Sequence, residues 1–92
     1  MIKTFKHEGL EAFFTNGSKK RIKPKHERRL REQLAVINTA TIVNDINIIG
    51  YNLQKIKGSR AQWSISIDSN WRLTFEFVGS YAHLLNYEDC LK

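Results

Sequence analysis

Residues 70–77, with the sequence NWRLTFEF, alternate between polar and hydrophobic positions as a half-buried β-strand does. The hydrophobic side chains fall on one face of such a strand, and Arg72, Thr74 and Glu76 fall on the other. The segments YNLQKI, QWSISI and YAHLLNY also have the composition of strands, and short connections separate them. Because short connections favour antiparallel neighbours, the chain from Gly50 onward predicts a meander of four strands.

The residues before Gly50 show helical spacing after a short initial strand. IKTFK, residues 2–6, alternates and is predicted to be that strand. HEGLEAFF has hydrophobic residues at helical spacing, and the TNGS that follows it is typical of a helix end. Pro24 stands where a second helix can begin. The hydrophobic face of this second helix is marked by Leu30, Leu34 and Ile37.

These elements together predict an α+β fold with the order β-α-α-β-β-β-β. Two helices would pack on one face of a small, mainly antiparallel sheet and leave its other face polar. A chain of 92 residues is long enough to build a single hydrophobic core. Residues 1–92 are therefore expected to form one domain.

The positive charge is concentrated in the first third of the chain. The net charge is +6, and residues 1–34 hold ten Lys and Arg against four Asp and Glu, whereas residues 35–92 hold five of each. Between Lys19 and Arg31, in KKRIKPKHERRLR, eight basic residues face a single acid, Glu27. Such a run can bind phosphate backbones, but it can equally be a solvated helix face or a surface for an acidic protein.

Composition disfavours several classes of protein and of site. No hydrophobic run is long enough to cross a bilayer, and the first ten residues lack the features of a secretion signal. A lone cysteine, Cys90, cannot form an internal disulfide, so a cytoplasmic location is expected. His7, His26 and His83 lie far apart and are interpreted as surface or helix-end residues. Since a glycine-rich phosphate loop and a nucleophile elbow are also absent, no metal or other cofactor is predicted.

One reaction needs none of these parts, namely cleavage of RNA by its own 2′-hydroxyl group. Attack on phosphorus increases the negative charge of the phosphate oxygens, which a fixed Arg or Lys stabilises while other groups carry the protons. Arg72 and Lys57 can supply the cations, and Glu88 or Asp89 in NYEDC can carry a proton. The residues alone leave open that Arg72 is a solvated strand residue and that both acids belong to an exposed tail.

Four stretches of the chain resemble the HigB toxins, a branch of the RelE superfamily of ribosome-dependent mRNA interferases. They are MIKTFKHEGLEAFFTNGS, GYNLQKIKG, WSISIDSNWRLTFEF and YEDC, in this order across nearly the whole chain. The resemblance implies helices packed on a small antiparallel sheet and metal-independent cleavage of mRNA in the ribosomal A site. It also implies a cognate HigA-like antitoxin with a helix-turn-helix, through which any contact with DNA would be indirect.

The resemblance implies roles for particular residues as well. Arg72, in NWR, matches the family arginine that holds the scissile phosphate, and Lys57, in IKG, matches a lysine that adds a second cation. Asp89, in YED, matches an acid that carries a proton or braces the arginine, and Asn70 matches an asparagine that contacts the RNA. We therefore expect Arg72, Lys57 and Asp89 to be catalytic.

Two positions depart from the family pattern. Many relatives carry histidine in place of Gln54, and glutamine cannot exchange a proton near neutral pH. Many also carry an aromatic residue in place of Cys90, and cysteine stacks poorly on a base. Two hypotheses therefore remain, an active ribosome-dependent endoribonuclease and a RelE-fold module that binds ribosome, RNA and antitoxin without cleaving. A DNA-binding domain that uses the basic helix ranks third, because no helix-turn-helix pattern is recognisable.

Further contacts with RNA are expected on either side of this site. QKIKG is expected to bring Gln54 and Lys55 close to the polar sheet face, where they would contact the mRNA together with Asn70. The basic run is expected to bind ribosomal RNA through Arg28, Arg29 and Arg31. Reversing the charge of these three arginines is expected to weaken ribosome association with little effect on folding.

Overall fold

Two helices precede a four-stranded antiparallel sheet in the computed structural model of the protein, which describes residues 1–58 and 61–90. The helix predicted to end at TNGS does so, because Gly17 adopts φ 73° and its N–H group donates to the carbonyl of Phe13. Pro24 opens a short 3-10 helix that leads into the second α-helix, as predicted. The helices are α1 (Glu8–Asn16) and α2 (Glu27–Thr39), with 3-10 helices at Pro24–His26 and Val43–Ile46.

The sheet has the order β1-β2-β3-β4, in which each strand pairs with its neighbour in the chain. The predicted α+β class and the antiparallel meander are therefore confirmed. The predicted connection between the first two strands includes residues 59 and 60, which lie outside the described residues. The strands are β1 (Gln54–Lys55), β2 (Gln62–Ser66), β3 (Trp71–Val78) and β4 (Tyr81–Asp89).

The core lies between the two α-helices and one face of the sheet. The predicted hydrophobic face of α2 is fully buried, and so are the central residues of β3. Trp71 and Phe77, towards the two ends of the hydrophobic face of β3, are partly buried and pack against the edge of the core. The buried side chains with the least exposure are Leu10, Leu30, Leu34, Ile37, Ile46, Ile65, Leu73, Phe75 and Leu85.

A β-bulge divides β4 into two halves. Thr74 pairs with Asn86 and Glu76 pairs with His83, so β4 has one more residue than β3 between these two pairs. Leu84 lies in this bulge with φ 57° and has an exposed side chain. The extra residue shifts the alternation of β4, which is why Ala82 is buried before the bulge while Leu85 and Tyr87 are buried after it.

The strand predicted at residues 2–6 is reduced to two isolated parallel bridges to β4. Ile2 bridges to Ala82 and Phe5 bridges to Leu85. The bulge in β4 lies between these two positions, and the amide of Leu84 donates to the hydroxyl of Thr4 at 2.9 Å. The bulge interrupts the pairing of residues 2–6 with β4 locally, so they form two separate bridges and no continuous ladder, and the prediction of a first strand is wrong in this respect.

Arg29 and Gln33 fasten α2 to the end of β2. Gln33 Nε2 donates to the carbonyl of Ser66 at 2.8 Å, and Arg29 Nη2 donates to the carbonyls of Gly50 at 2.7 Å and Ser66 at 3.3 Å. The guanidinium of Arg29 also lies over the ring of Tyr51, 5.4 Å from its centroid. Arg29 is therefore part of the fold, which contradicts the expectation that its charge can be reversed with little effect on folding.

Replacing Arg29 by glutamine is expected to destabilise the protein more than the same change at its neighbour Arg28. Hydrogen bonds to charged groups contribute about 1.5–3 kcal/mol each, and Arg29→Gln loses the guanidinium contacts with two carbonyl groups. Arg28 is exposed, and substitutions at such positions usually change the free energy of unfolding by about 0.5 kcal/mol or less. We expect a decrease of roughly 2 kcal/mol for Arg29→Gln, measured by urea unfolding beside Arg28→Gln. Superimposable unfolding curves for the two variants would contradict this role.

Candidate functional site

Arg72 forms an ion pair with Glu88 on the polar face of the sheet. The two residues are directly opposite each other on β3 and β4. Both Nε and Nη2 of the guanidinium lie 2.9 Å from a single oxygen, Oε1 of Glu88. The other oxygen, Oε2, accepts a hydrogen bond from Asn86 Nδ2 at 3.3 Å. The Arg72 and Glu88 side chains remain 41% and 35% exposed, so a ligand can reach this pair.

A groove of about 880 Å³ runs beside this pair. One wall is formed by the start of β3 and the end of β4, and the other by the loop between α1 and α2. Among residues 1–58 and 61–90, four cationic side chains line the groove against two carboxylates, so it is suited to an anionic ligand. The lining residues are His7, Lys20, Arg21, Ile22, Lys23, Pro24, Trp71, Arg72, Tyr87, Glu88, Asp89 and Cys90.

A buried chain of hydrogen bonds joins the two walls of this groove. His26, with only 2% of its side chain exposed, has Nδ1 2.6 Å from the hydroxyl of Tyr87 and Nε2 2.6 Å from Oδ2 of Asp68. The amide of Lys23 donates to the same Tyr87 hydroxyl at 3.3 Å. The chain therefore connects the α1–α2 loop, the turn between β2 and β3, and the last strand.

The partners determine the direction of each hydrogen bond in this chain. The hydrogen bond from His26 is the main cause that lowers the pKa of Asp68 from its usual 3.8 to about 2, so this carboxylate accepts and Nε2 of His26 carries the proton. In the neutral ring the other nitrogen, Nδ1, is an acceptor for the hydroxyl of Tyr87. Burial raises the pKa of Tyr87, so this hydroxyl keeps its proton and is able to donate.

Asp68 also fixes the start of β3, and with it Arg72. Its Oδ1 accepts hydrogen bonds from the amides of Asn70 at 2.8 Å and Trp71 at 2.9 Å. The ring of Trp71 packs on that of Tyr87 with a centroid separation of 4.7 Å, and Lys23 Nζ lies 5.2 Å from the Trp71 centroid. The residue before Arg72 is thus held by its backbone and by its side chain.

His7 caps α1 at the edge of the groove. Its Nδ1 accepts from the amide of Leu10 at 3.0 Å, and its ring meets that of Tyr87 edge-on at 5.5 Å. Burial, and then the nearby charge of Arg21, lower the pKa of His7, which favours the neutral ring that a cap requires. The interpretation of His7 as a helix-end residue agrees with this geometry.

The family model described as a RelE-like toxin of type II toxin–antitoxin system HigB matches residues 3–90. The chain belongs to this family. A relative from Proteus vulgaris, Endoribonuclease HigB, is 41% identical over 90 residues, which cover 97% of this chain and 98% of the relative.

The resemblance to the HigB toxins is confirmed by these comparisons. Membership of a type II system implies a cognate antitoxin, and the name of the Proteus relative agrees with the predicted enzyme class. In the part of the chain that the structure describes, no helix is long and hydrophobic enough to cross a membrane. Among the same residues, no three His, Cys, Asp or Glu side chains are grouped so as to hold a metal ion.

The structure of this HigB-like toxin brings some of the predicted site residues together. Arg72 and Asp89 line the same groove, with Asp89 paired across the strands to Trp71. Asn70 lies in the turn before Arg72, and its carbonyl accepts from the amide of Cys90 at 2.6 Å. Asn70 and Cys90 are both exposed at this end of the sheet.

The site residues predicted on and after β1 lie outside the groove. The described residues that line the groove do not include Gln54, Lys55 or Lys57, and all three are exposed. Gln54 pairs with Ser64, and Ser64 pairs with Thr74, so these three residues form one row across the sheet. Arg72 lies on one side of this row, and Lys57, which follows β1, lies on the other side. A ligand that contacts both Arg72 and Lys57 must therefore extend across the polar face of the sheet.

The basic run predicted to bind RNA has three different surroundings in the HigB fold. Lys20, Arg21 and Lys23 line the groove, although the prediction emphasised the arginines that follow them. Arg28 is exposed on α2, and Arg31 is exposed beside Glu27, with Nη2 3.2 Å from Oε2 of that acid. Arg29 is instead held by backbone carbonyls, as described above.

Sequence reasoning missed the buried chain altogether. His26 was interpreted as a surface or helix-end residue, and the surface part of that interpretation is wrong. One signal was present in the sequence, because a tyrosine on the hydrophobic face of a strand, such as Tyr87, requires a partner for its hydroxyl. Nothing in the sequence identifies His26 or Asp68 as members of the same chain, since 42 residues separate them.

Replacing Tyr87 by phenylalanine is expected to lower the free energy of unfolding while keeping the ring in place. The change leaves Nδ1 of His26 and the amide of Lys23 without the hydroxyl, and an unsatisfied buried polar group costs about 1–3 kcal/mol. The melting temperature should therefore fall by several degrees in calorimetry. An unchanged melting temperature would show that the buried chain contributes nothing to stability.

Replacing Asp68 by asparagine is expected to remove a pH-dependent part of the stability. The pKa of Asp68 is lowered in the folded protein to about 2, so its contribution is complete above the unfolded value of 3.8 and is lost as pH falls through about 2. Urea unfolding of both proteins should show a wild-type advantage that is constant from pH 7 to about pH 5 and shrinks towards pH 2. A difference that does not change with pH would argue against a charged Asp68.

Proposed function

We propose that this chain is the toxin of a type II toxin–antitoxin system and acts in the cytoplasm as a ribosome-dependent endoribonuclease. It cleaves mRNA in the ribosomal A site by attack of the 2′-hydroxyl group and requires no metal or other cofactor. The observation that carries this proposal is the position of Arg72 in a groove that holds three further cations. The membership of the chain in the HigB-like toxins, and the endoribonuclease name of its Proteus relative, support the same reaction.

Arg72 is proposed to stabilise the charge that develops on the scissile phosphate. A guanidinium has five N–H donors in one plane, and Glu88 accepts from Nε while its Oε1 lies 2.9 Å from Nη2. The other donors can bind two phosphate oxygens at once, a geometry that lysine cannot reproduce. Charge stabilisation of this kind is commonly the largest contribution to such catalysis.

Asp89 is proposed to assist proton transfer or to brace Arg72 during the reaction. It lines the groove on the strand that also carries Glu88, so it is within reach of a nucleotide bound at Arg72. Lys57 is proposed to add its charge where the RNA crosses the sheet, with Gln54 and Lys55 beside it. Asn70, in the turn before Arg72, is proposed to contact the neighbouring nucleotide.

The basic run is proposed to serve two different nucleic acids. Lys20, Arg21 and Lys23 share the groove with Arg72, so they are suited to hold the mRNA backbone itself. Arg28 and Arg31 are exposed on α2 and are suited to ribosomal RNA. The antitoxin is proposed to be a HigA-like helix-turn-helix protein, and contact with DNA would occur through it.

A second function is favoured by Gln54 and Cys90, where many relatives carry histidine and an aromatic residue. Gln54 donates through Nε2 to Asn52 Oδ1 at 3.4 Å and cannot carry a proton. A protein with the same groove but slow proton transfer would bind ribosomes and its antitoxin without cleaving. The experiment below separates this module from the enzyme.

Replacing Arg72 by alanine is expected to abolish cleavage of ribosome-bound mRNA. Loss of one group that stabilises a developing oxyanion costs about 10²–10³-fold in turnover, so cut products should fall at least a hundredfold. The measurement is mapping of 5′ ends on a defined mRNA in programmed ribosomes. Lys3→Ala is the control, because Lys3 lies over the ring of Tyr81 at the other end of the hairpin.

Each outcome of this experiment has a clear meaning. Discrete A-site cuts with the wild type and Lys3→Ala, but not with Arg72→Ala, support the proposed enzyme. Ribosome binding without cuts in any of the three proteins supports the non-cleaving module. Equal cleavage by wild type and Arg72→Ala would place the catalytic group elsewhere.

Removing two groove cations is expected to weaken RNA binding in a salt-dependent manner. Each contact with a single-stranded backbone contributes about 0.7 to the slope of log affinity against log salt, so Lys20→Ala with Arg21→Ala should reduce that slope by about 1.4. The measurement is fluorescence anisotropy with a short single-stranded RNA between low and moderate salt. Lys3→Ala with Lys6→Ala removes the same charge from outside the groove, and an equal loss of slope there would refute a specific role for the loop.

A further inference from the structure

We infer that Glu88 is a positioning residue, which holds Arg72 by one edge and presents the remaining donors to the scissile phosphate. The inference rests on the proposed function, because it assigns to Glu88 a role in the same reaction. Glu88 acts through Arg72 and is not required to touch the substrate. The residue is thus distinguished from a proton carrier, the role that its sequence position first suggested.

The contacts of Glu88 are suited to holding a guanidinium in a single orientation. Nε of Arg72 donates to Oε1 and Nη2 lies 2.9 Å from the same oxygen, so rotation about the end of the side chain is restricted. Glu88 is itself held, because Asn86 Nδ2 donates to Oε2. Asn86 and Glu88 are two residues apart on β4, opposite Thr74 and Arg72, so the sheet register holds the whole group.

The exposure of the pair shows that its main contribution is not to stability. Both side chains are more than one third exposed, and ion pairs in such surroundings contribute little to folding. In a groove that is otherwise suited to an anion, the carboxylate of Glu88 also opposes phosphate binding by its charge. A residue that repels the substrate while orienting the catalytic cation should have opposite effects on binding and on turnover.

These two effects of Glu88 predict that its replacement lowers kcat without raising KM. Without the carboxylate, the guanidinium gains freedom, and a misplaced catalytic group commonly costs about tenfold or more in kcat. The groove at the same time loses a negative charge, so KM should stay the same or fall. Glu88→Gln should lie between Glu88→Ala and the wild type, because an amide oxygen still accepts from Nε and Nη2 of Arg72.

The experiment compares kcat and KM for Glu88→Ala, Glu88→Gln and the wild type on programmed ribosomes, at several pH values. Glu11→Gln is the matched control, because Glu11 is exposed on α1, away from the groove lining and from the sheet face, and the change removes the same charge. Arg72→Ala shows how far cleavage falls when the guanidinium itself is absent. Thermal unfolding of each variant shows that the fold is kept, and Glu88→Gln carries the test if Glu88→Ala does not fold.

The expected result is a kcat at least about tenfold lower for Glu88→Ala and a smaller decrease for Glu88→Gln. The KM should not rise in either variant, and Glu11→Gln should keep wild-type values. Equal loss in both Glu88 variants, together with loss of the acidic limb of the pH profile, would identify a proton carrier and overturn the inference. Unchanged kcat in Glu88→Ala overturns it while leaving the proposed function intact, provided that Arg72→Ala is inactive. Absence of cuts with the wild type overturns both.

Discussion

The buried hydrogen bonds from Asp68 through His26 to Tyr87 are the interaction on which the groove depends. The loop between α1 and α2 carries many like charges that repel one another, although Lys25 Nζ lies 3.8 Å from Oδ2 of Asp68 at the end of the sheet. Its main attachment is one histidine, which is buried and hydrogen-bonded at both nitrogens. Asp68 also accepts hydrogen bonds from the amides of Asn70 and Trp71. This one carboxylate therefore positions both walls of the groove, the wall that carries Arg72 and the wall that carries Lys20 and Lys23.

The division of the basic run shows how one sequence feature can serve folding and ligand binding together. Arg29 donates hydrogen bonds to the carbonyls of Gly50 and Ser66, and its neighbour Arg28 remains in solvent. Residues 20–23 line the groove because His26 holds the end of their loop against Tyr87 and Asp68. The basic run looks uniform in the sequence, but its positions differ in how much a substitution should destabilise the fold, as Arg29 and Arg28 show.

The order of the two α-helices and of β1 to β4 was predictable, because it follows from local periodicity, whereas the strand predicted at residues 2–6 is reduced to two isolated bridges. The alternation in β3 placed Arg72 on the polar face, and the resemblance to the HigB toxins identified the end of β4 as part of the site. The attachment of His26 to Asp68 was not predictable, since it depends on how distant segments pack. The same holds for the contact of Arg72 with Glu88, which requires the strand register, and for the position of Lys57, which local pattern cannot relate to Arg72.

The bulge at Leu84 has a consequence for how this protein can change over time. Each half of β4 has its own inside and outside, and the one additional residue at the bulge reconciles them. Deleting Leu84 would leave a regular strand in which Ala82, Leu85 and Tyr87 still face the core, whereas inserting one residue between the bulge and Tyr87 would turn Tyr87 outward and its polar neighbours inward. Insertions and deletions in the hairpin tip before the bulge would leave the groove untouched. The bulge is therefore the point in β4 where the loss of one residue can be absorbed, and length variation among descendants of this chain should be tolerated there and in the hairpin tip but eliminated between the bulge and the end of the strand.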